Sequence, residues 1–84
     1  MRLVADMITA RQIKAARALL GWSQQKLADK AIVSLNAITR LEGGHVDPRV
    51  STVAAIEKAL VKAGVEFLSG GGKGEGVRLI SSKE

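Results

Sequence analysis

Two serines set the frame for this chain. Ser23 and Ser34 each head a short stretch with helical spacing, 23–31 and 34–42, and only Ile32 and Val33 stand between them. A serine in that place accepts a hydrogen bond from the free N–H groups of the first helical turn. Helices of about two turns are not stable alone in water, so they must bury their apolar faces against neighbours. At 84 residues the chain can build one small core and no more. It contains no cysteine, which removes disulfides, thiolate metal sites and thiol chemistry.

The remaining pattern supplies those neighbours. Thr9 is placed to cap a first helix, with Gln12 completing a capping box and Ile8 set to staple onto Ile13. Ile13, Ala16, Leu19 and Leu20 recur at helical spacing, and Gly21 ends the helix. Leu27, Ala28 and Ala31 form the inner side of the second helix. Ile38 and Leu41 do so for the third, with Val33 stapling onto Ile38 and Gly43-Gly44 as the stop. A loop through His45 and Pro48 leads to a fourth helix, capped by Ser51, lined by Val53, Ile56, Leu60 and Ala63, and ended by Gly64.

Beyond Gly64 the period changes from helix to strand. Val65-Glu66-Phe67-Leu68 and Val77-Arg78-Leu79-Ile80 read as a β-hairpin around a glycine-rich tip. The expected class is mainly α, a bundle of four helices with a short C-terminal hairpin. Residues 1–8 form an extension, 9–64 the helical domain and 65–84 the hairpin and tail. A lone two-stranded hairpin is marginal in water and has free edges, and pairing with a second copy would cover them.

Charge points to an anion. The chain carries +5, with a pI near 10.1. Between positions 11 and 49 seven basic residues oppose three acidic ones, a net of +4. From Val50 onward five oppose four, a net of +1. An anionic partner is therefore expected on the first half. Trp22 and Phe67 are the only aromatic residues, too few for a platform that stacks single-stranded bases. No apolar run approaches the ~20 residues that span a bilayer, and residues 1–6 lack the apolar stretch of a signal peptide. A cytoplasmic protein without membrane contact is the expectation.

Two short capped helices joined by a tight turn are the outline of a helix-turn-helix. The second helix can enter the major groove of DNA, about 12 Å wide, if apolar residues hold it from behind. Ile38 and Leu41 do so, while Leu35, Asn36, Thr39 and Arg40 fall on the other side by helical spacing.

Three runs carry a resemblance: Leu20-Gly21-Trp22-Ser23-Gln24-Gln25-Lys26-Leu27-Ala28, then Val33-Ser34, then Ile38-Thr39-Arg40-Leu41-Glu42-Gly43-Gly44. Over residues 9–63 the chain resembles the Cro/phage-repressor type of helix-turn-helix, the xenobiotic-response-element class. The resemblance implies a lambda-repressor-like bundle and a sequence-specific, double-stranded-DNA-binding transcriptional regulator, most often a dimeric repressor. It implies that Leu35, Asn36, Thr39 and Arg40 face the bases. Gln24, Ser34 and Arg49 would meet phosphates, and Arg17 and Glu42 would form a structural salt bridge. The family usually has glycine where this chain has Ile32, at a position that commonly adopts a left-handed conformation. Either the turn is built differently here or Ile32 is strained.

Other readings are weaker. An antitoxin-type module that binds a toxin and represses its own operon is the alternative function. Catalysis has no support: no nucleophile stands with a base and no paired carboxylates share a face. His45 lacks companions at metal-ligand spacing, so no metal or cofactor is expected. Trp22 reads as core, and the 70–76 glycines as a flexible turn that lacks the Gly-Lys-Ser/Thr ending of a phosphate loop.

Overall fold

The computed structural model describes residues 8–44, 49–68 and 74–80. Four helices are followed by a hairpin: α1 (Ala10–Leu20), α2 (Gln24–Ala31), α3 (Leu35–Glu42), α4 (Val50–Lys62), β1 (Val65–Leu68) and β2 (Gly76–Leu79). The expected mainly helical bundle with a C-terminal hairpin is the fold observed.

Local chemistry explains most of the boundaries. Thr9 caps α1 in a complete capping box: its Oγ1 accepts from Gln12 N–H at 3.2 Å, and its own N–H donates to Gln12 Oε1 at 2.9 Å. Ser23 Oγ accepts from Lys26 N–H and Ser34 Oγ from Ala37 N–H, both at 3.0 Å. Helices α1 and α2 end alike. Trp22 N–H reaches back to Arg17 C=O at 2.9 Å, and Val33 N–H to Ala28 C=O at 3.0 Å. This ending needs a left-handed residue. Gly21 supplies it in α1, with φ 70°. Ile32 supplies it in α2, with φ 57° and ψ 50°. The α2–α3 turn therefore holds the left-handed residue that the resemblance implies, and Ile32 takes the conformation that β-branched residues resist.

Three expectations are corrected. Helix α4 starts at Val50 with Arg49 as its cap, and no side chain bonds the cap position. Ser51 already lies inside the first turn, where exposed N–H groups can meet water instead of a hydroxyl. Strand β2 begins one residue early, at Gly76, although Ile80 N–H still donates to Gly64 C=O at 2.8 Å. Leu19, assigned to the apolar stripe, is 43% exposed, while Leu20 beside it packs on the core.

Each element except β2 gives the core a fully buried side chain: Ile13, Leu27, Ile38, Ile56 with Leu60, and Val65. Burying each stabilises the fold by about 1.5–3 kcal/mol. Trp22, 5% exposed, closes the turn between α1 and α2. The hairpin is antiparallel, with Val65 opposite Leu79 and Phe67 opposite Val77. Phe67, Val77 and Leu79 pack against the helical core, and the hairpin sits on α1 and α4. It is therefore supported by the helices rather than standing free. Gln12 fastens it. This buried amide donates to Leu68 C=O at 3.1 Å and Gly76 C=O at 2.9 Å, the two residues that face each other across the hairpin.

Candidate nucleic-acid interface

Helix α3 is fixed from behind and open in front. Its buried residues are Ile38, Leu41 and Glu42. Ile38 and Leu41 join the core, whereas Glu42 is a buried carboxylate that must be paired. Arg17 pairs it with two bonds: Nε to Oε2 at 2.7 Å and Nη2 to Oε1 at 2.8 Å. The remaining guanidinium nitrogen, Nη1, donates to Trp22 C=O at 2.9 Å. Gln24 adds a third bond to the carboxylate, Nε2 to Oε1 at 3.1 Å. The end of α3 is thus tied to α1, to the turn after it and to the start of α2.

The pair is electrostatically balanced. Burial pushes the Glu42 carboxyl up, but the hydrogen bonds from Arg17 and Gln24, together with the nearby charges of Arg17 and Lys14, hold the group below its ordinary value near 4.5. The bond to Glu42 raises Arg17 in turn, against a smaller opposing effect of burial. Both stay charged at neutral pH. The Glu42 side chain is 4% exposed and that of Arg17 20%.

The opposite side of α3 carries Leu35, Asn36, Thr39 and Arg40, all exposed. Thr39 Oγ1 donates to Leu35 C=O at 3.0 Å, so its hydrogen is used within the helix while its lone pairs remain open to a donor. Asn36 and Arg40 have no hydrogen-bond partner among the described residues and present free donors. Ser34 is exposed at the head of the helix, its hydroxyl accepting from Ala37 N–H. Arg49 is exposed at the head of α4. Gln24, the first residue of α2, is half-buried because of its bond to Glu42. Lys26, on the same turn, lies with its Nζ 5.7 Å from the centroid of the Trp22 ring. His45 and the 69–73 part of the glycine-rich stretch lie outside the described residues. Among the described residues no group of acidic, histidine or cysteine side chains is arranged to hold a metal ion, and no helix is long and apolar enough to cross a membrane.

The sequence model of the helix-turn-helix family matches residues 13–60, more than half of the chain. The chain belongs to the Cro/C1-type helix-turn-helix family. The match runs from Ile13 in α1 to Leu60 in α4 and so takes in both helices of the motif and the residues that hold them. A Cro/C1-type helix-turn-helix protein is a DNA-binding regulator, and DNA is its partner. No curated protein matches the chain in sequence.

Sequence reasoning missed two features near the motif. Gln12 was legible as a capping-box residue but not as the clamp on the hairpin. Glu75 was not singled out, yet it accepts from Thr9 Oγ1 at 2.8 Å and from Arg11 Nε and Nη2 at 2.8 and 3.0 Å. Their partners lie 56 to 66 residues away in the chain, beyond any local spacing rule.

Proposed function

We propose that this helix-turn-helix protein is a sequence-specific binder of double-stranded DNA that acts as a homodimeric repressor. The observation that carries the reading is the exposed row Leu35, Asn36, Thr39 and Arg40 on a helix whose back is immobilised by Ile38, Leu41 and the Arg17–Glu42 pair. A rigid helix presents its donors at fixed positions, so less ordering entropy is spent when they meet base edges. Arg40 suits the two acceptors of guanine, and Asn36 the donor–acceptor pair of adenine. Leu35 and the Thr39 methyl suit a thymine methyl.

Ser34, Gln24 and Arg49 take the phosphates. Ser34 and Gln24 stand at helix starts, where backbone N–H groups favour anions, and Arg49 brings a full charge. Gln24 keeps one donor hydrogen and its carbonyl for this purpose while bonded to Glu42. Arg17 and Glu42 support the helix and touch no DNA. On this reading residues 9–64 form the DNA-binding unit and the segment from Val65 the dimerising one. One recognition helix reads only a few base pairs, and two of them about 34 Å apart read successive major grooves. Occupying such a site excludes other proteins from it, which is the physical basis of repression.

Selection of preferred sites from random duplex DNA tests the proposal. Enrichment of a palindromic site, its half-sites one helical turn apart, is expected. Recovery of random sequence would contradict it.

A further inference from the structure

We propose that the groove between the start of α1 and the head of β2 is a binding site for a small apolar monocarboxylate, which takes the place of the Glu75 carboxylate on Arg11. The proposal goes beyond DNA recognition, because the groove shares no residue with the outward row of α3 or with Ser34, Gln24 and Arg49. The groove has a volume of about 330 Å³, opens to solvent and is lined by Arg11, Gln12, Ala15, Glu75, Gly76 and Val77. Small-molecule ligands occupy spaces of roughly 300–1,000 Å³, so this one admits a ligand at the small end of that range. Its walls are mostly apolar, with methyl groups from Ala15 and Val77. Gln12 sets their spacing in advance. Its Nε2 is committed to Leu68 C=O and Gly76 C=O, which holds the hairpin against α1 before any ligand arrives. A ligand that meets a preformed groove spends little on ordering it.

The edge of the groove already holds a carboxylate. Glu75 accepts from Arg11 Nε at 2.8 Å, from Arg11 Nη2 at 3.0 Å and from Thr9 Oγ1 at 2.8 Å. A planar guanidinium that meets both oxygens is the geometry by which carboxylates are recognised. The bonds from Arg11 and then from Thr9 hold the Glu75 carboxyl below its ordinary value near 4.5, so these donors favour an ionised acid. Glu75 therefore marks where a ligand's carboxylate sits and what charge it carries. It is also an occupant that is easily displaced. The Arg11 side chain is 78% exposed and that of Glu75 30%, and water and salt screen such a pair. On exchange Glu75, between Gly74 and Gly76, turns to water. The incoming acid brings an apolar tail that removes Ala15 and Val77 from water, which is the net gain. An amine is repelled by Arg11. A second carboxylate on the tail would lie against apolar walls without a partner, so the ligand carries one acid group only.

Titration of the full chain with octanoate, followed by amide NMR, tests the site without DNA. Saturable shifts at Ala15, Gly76 and Val77 are expected, and acetate, which has no tail, should bind about tenfold more weakly or worse. Glu75→Gln removes the internal competitor and should tighten octanoate about tenfold, because Arg11 is then free for a larger fraction of the time. Arg11→Gln should weaken octanoate about tenfold or more, through loss of the charge-assisted bonds. Ala15→Glu, at an exposed position one turn from Arg11, puts a charge in the path of the tail and should weaken it likewise. Circular dichroism should match the wild type for all three variants. If Arg11→Gln fails to fold, the gain in Glu75→Gln and the comparison with acetate still decide. Absence of saturable shifts in both the wild type and Glu75→Gln would overturn the proposal. So would octanoate binding to Arg11→Gln as to the wild type, or a Glu75→Gln protein that binds no tighter. None of these outcomes bears on the DNA reading, which stands or falls on site selection.

Discussion

Gln24 Nε2 lies 3.1 Å from Glu42 Oε1, so the first residue of α2 is bonded to the last residue of α3. The two helices of the motif are joined by the turn at one end and by this contact at the other. Arg17 completes the arrangement by gripping the same carboxylate from α1. The residue proposed to meet phosphate and the helix proposed to read bases therefore move as one body.

That arrangement makes stability and DNA binding separable by mutation. Arg17→Ala leaves Glu42 charged and buried. Breaking one side of such a pair costs about 3–5 kcal/mol, and the low end applies because part of Arg17 meets water. Urea unfolding should show a loss near 3 kcal/mol, and Arg40→Ala a change within about 0.5 kcal/mol. Equal losses from both would contradict the assignment of roles.

Acid should act through Glu42. Its carboxyl is held below 4.5 in the fold and returns to its ordinary value on unfolding, so the unfolded chain binds the proton first. This contribution is fully present above the unfolded value and disappears as pH falls through the lower folded value. Wild-type melting temperature should decline below about pH 4.5 more steeply than that of Glu42→Gln, which cannot titrate there. Parallel profiles for the two proteins would refute the point.

Ile32 is left-handed and 90% exposed, so its strain is offset by no burial. Relief of a strained position of this kind is worth about 1–3 kcal/mol, against roughly 0.5–1 kcal/mol lost to the greater freedom of glycine in the unfolded chain. Ile32→Gly should raise stability by about 1 kcal/mol in denaturant titration. A clear loss of stability would mean that the isoleucine side chain contributes something the strain argument omits.

Gln12 should control the hairpin. Gln12→Ala removes two bonds that bridge Leu68 and Gly76 and leaves their carbonyls short of partners. A cost of about 2 kcal/mol is expected. Hydrogen exchange should show β1 and β2 amides opening before those of α2 and α3. Uniform loss of protection across the chain would speak against a local clamp.

Much of this was legible in the residues because helix signals are local. Thr9, Ser23 and Ser34 each sit within three residues of the N–H they accept from, and Ile38 and Leu41 declare the buried side of α3 by spacing alone. What failed depends on tertiary context. Ser51 has the chemistry of a cap, but the backbone turns helical one residue before it, after Arg49. Leu19 fits the apolar period yet stays 43% exposed, outside the buried core. Ile32 could not be decided from its type, since isoleucine disfavours what the α2–α3 turn demands. The Gln12 and Glu75 contacts join opposite ends of the chain, and no sequence interval encodes them.

The measurement closest to the central claim is quantitative binding of wild type and Arg40→Ala to the selected site and to a set of single base-pair changes. The outward row of α3 predicts that Arg40→Ala folds normally and loses discrimination of about 1–3 kcal/mol at one or two positions, while Gln24→Ala weakens every sequence alike. A folded Arg40→Ala protein with the same ranking of sites as the wild type would contradict the account.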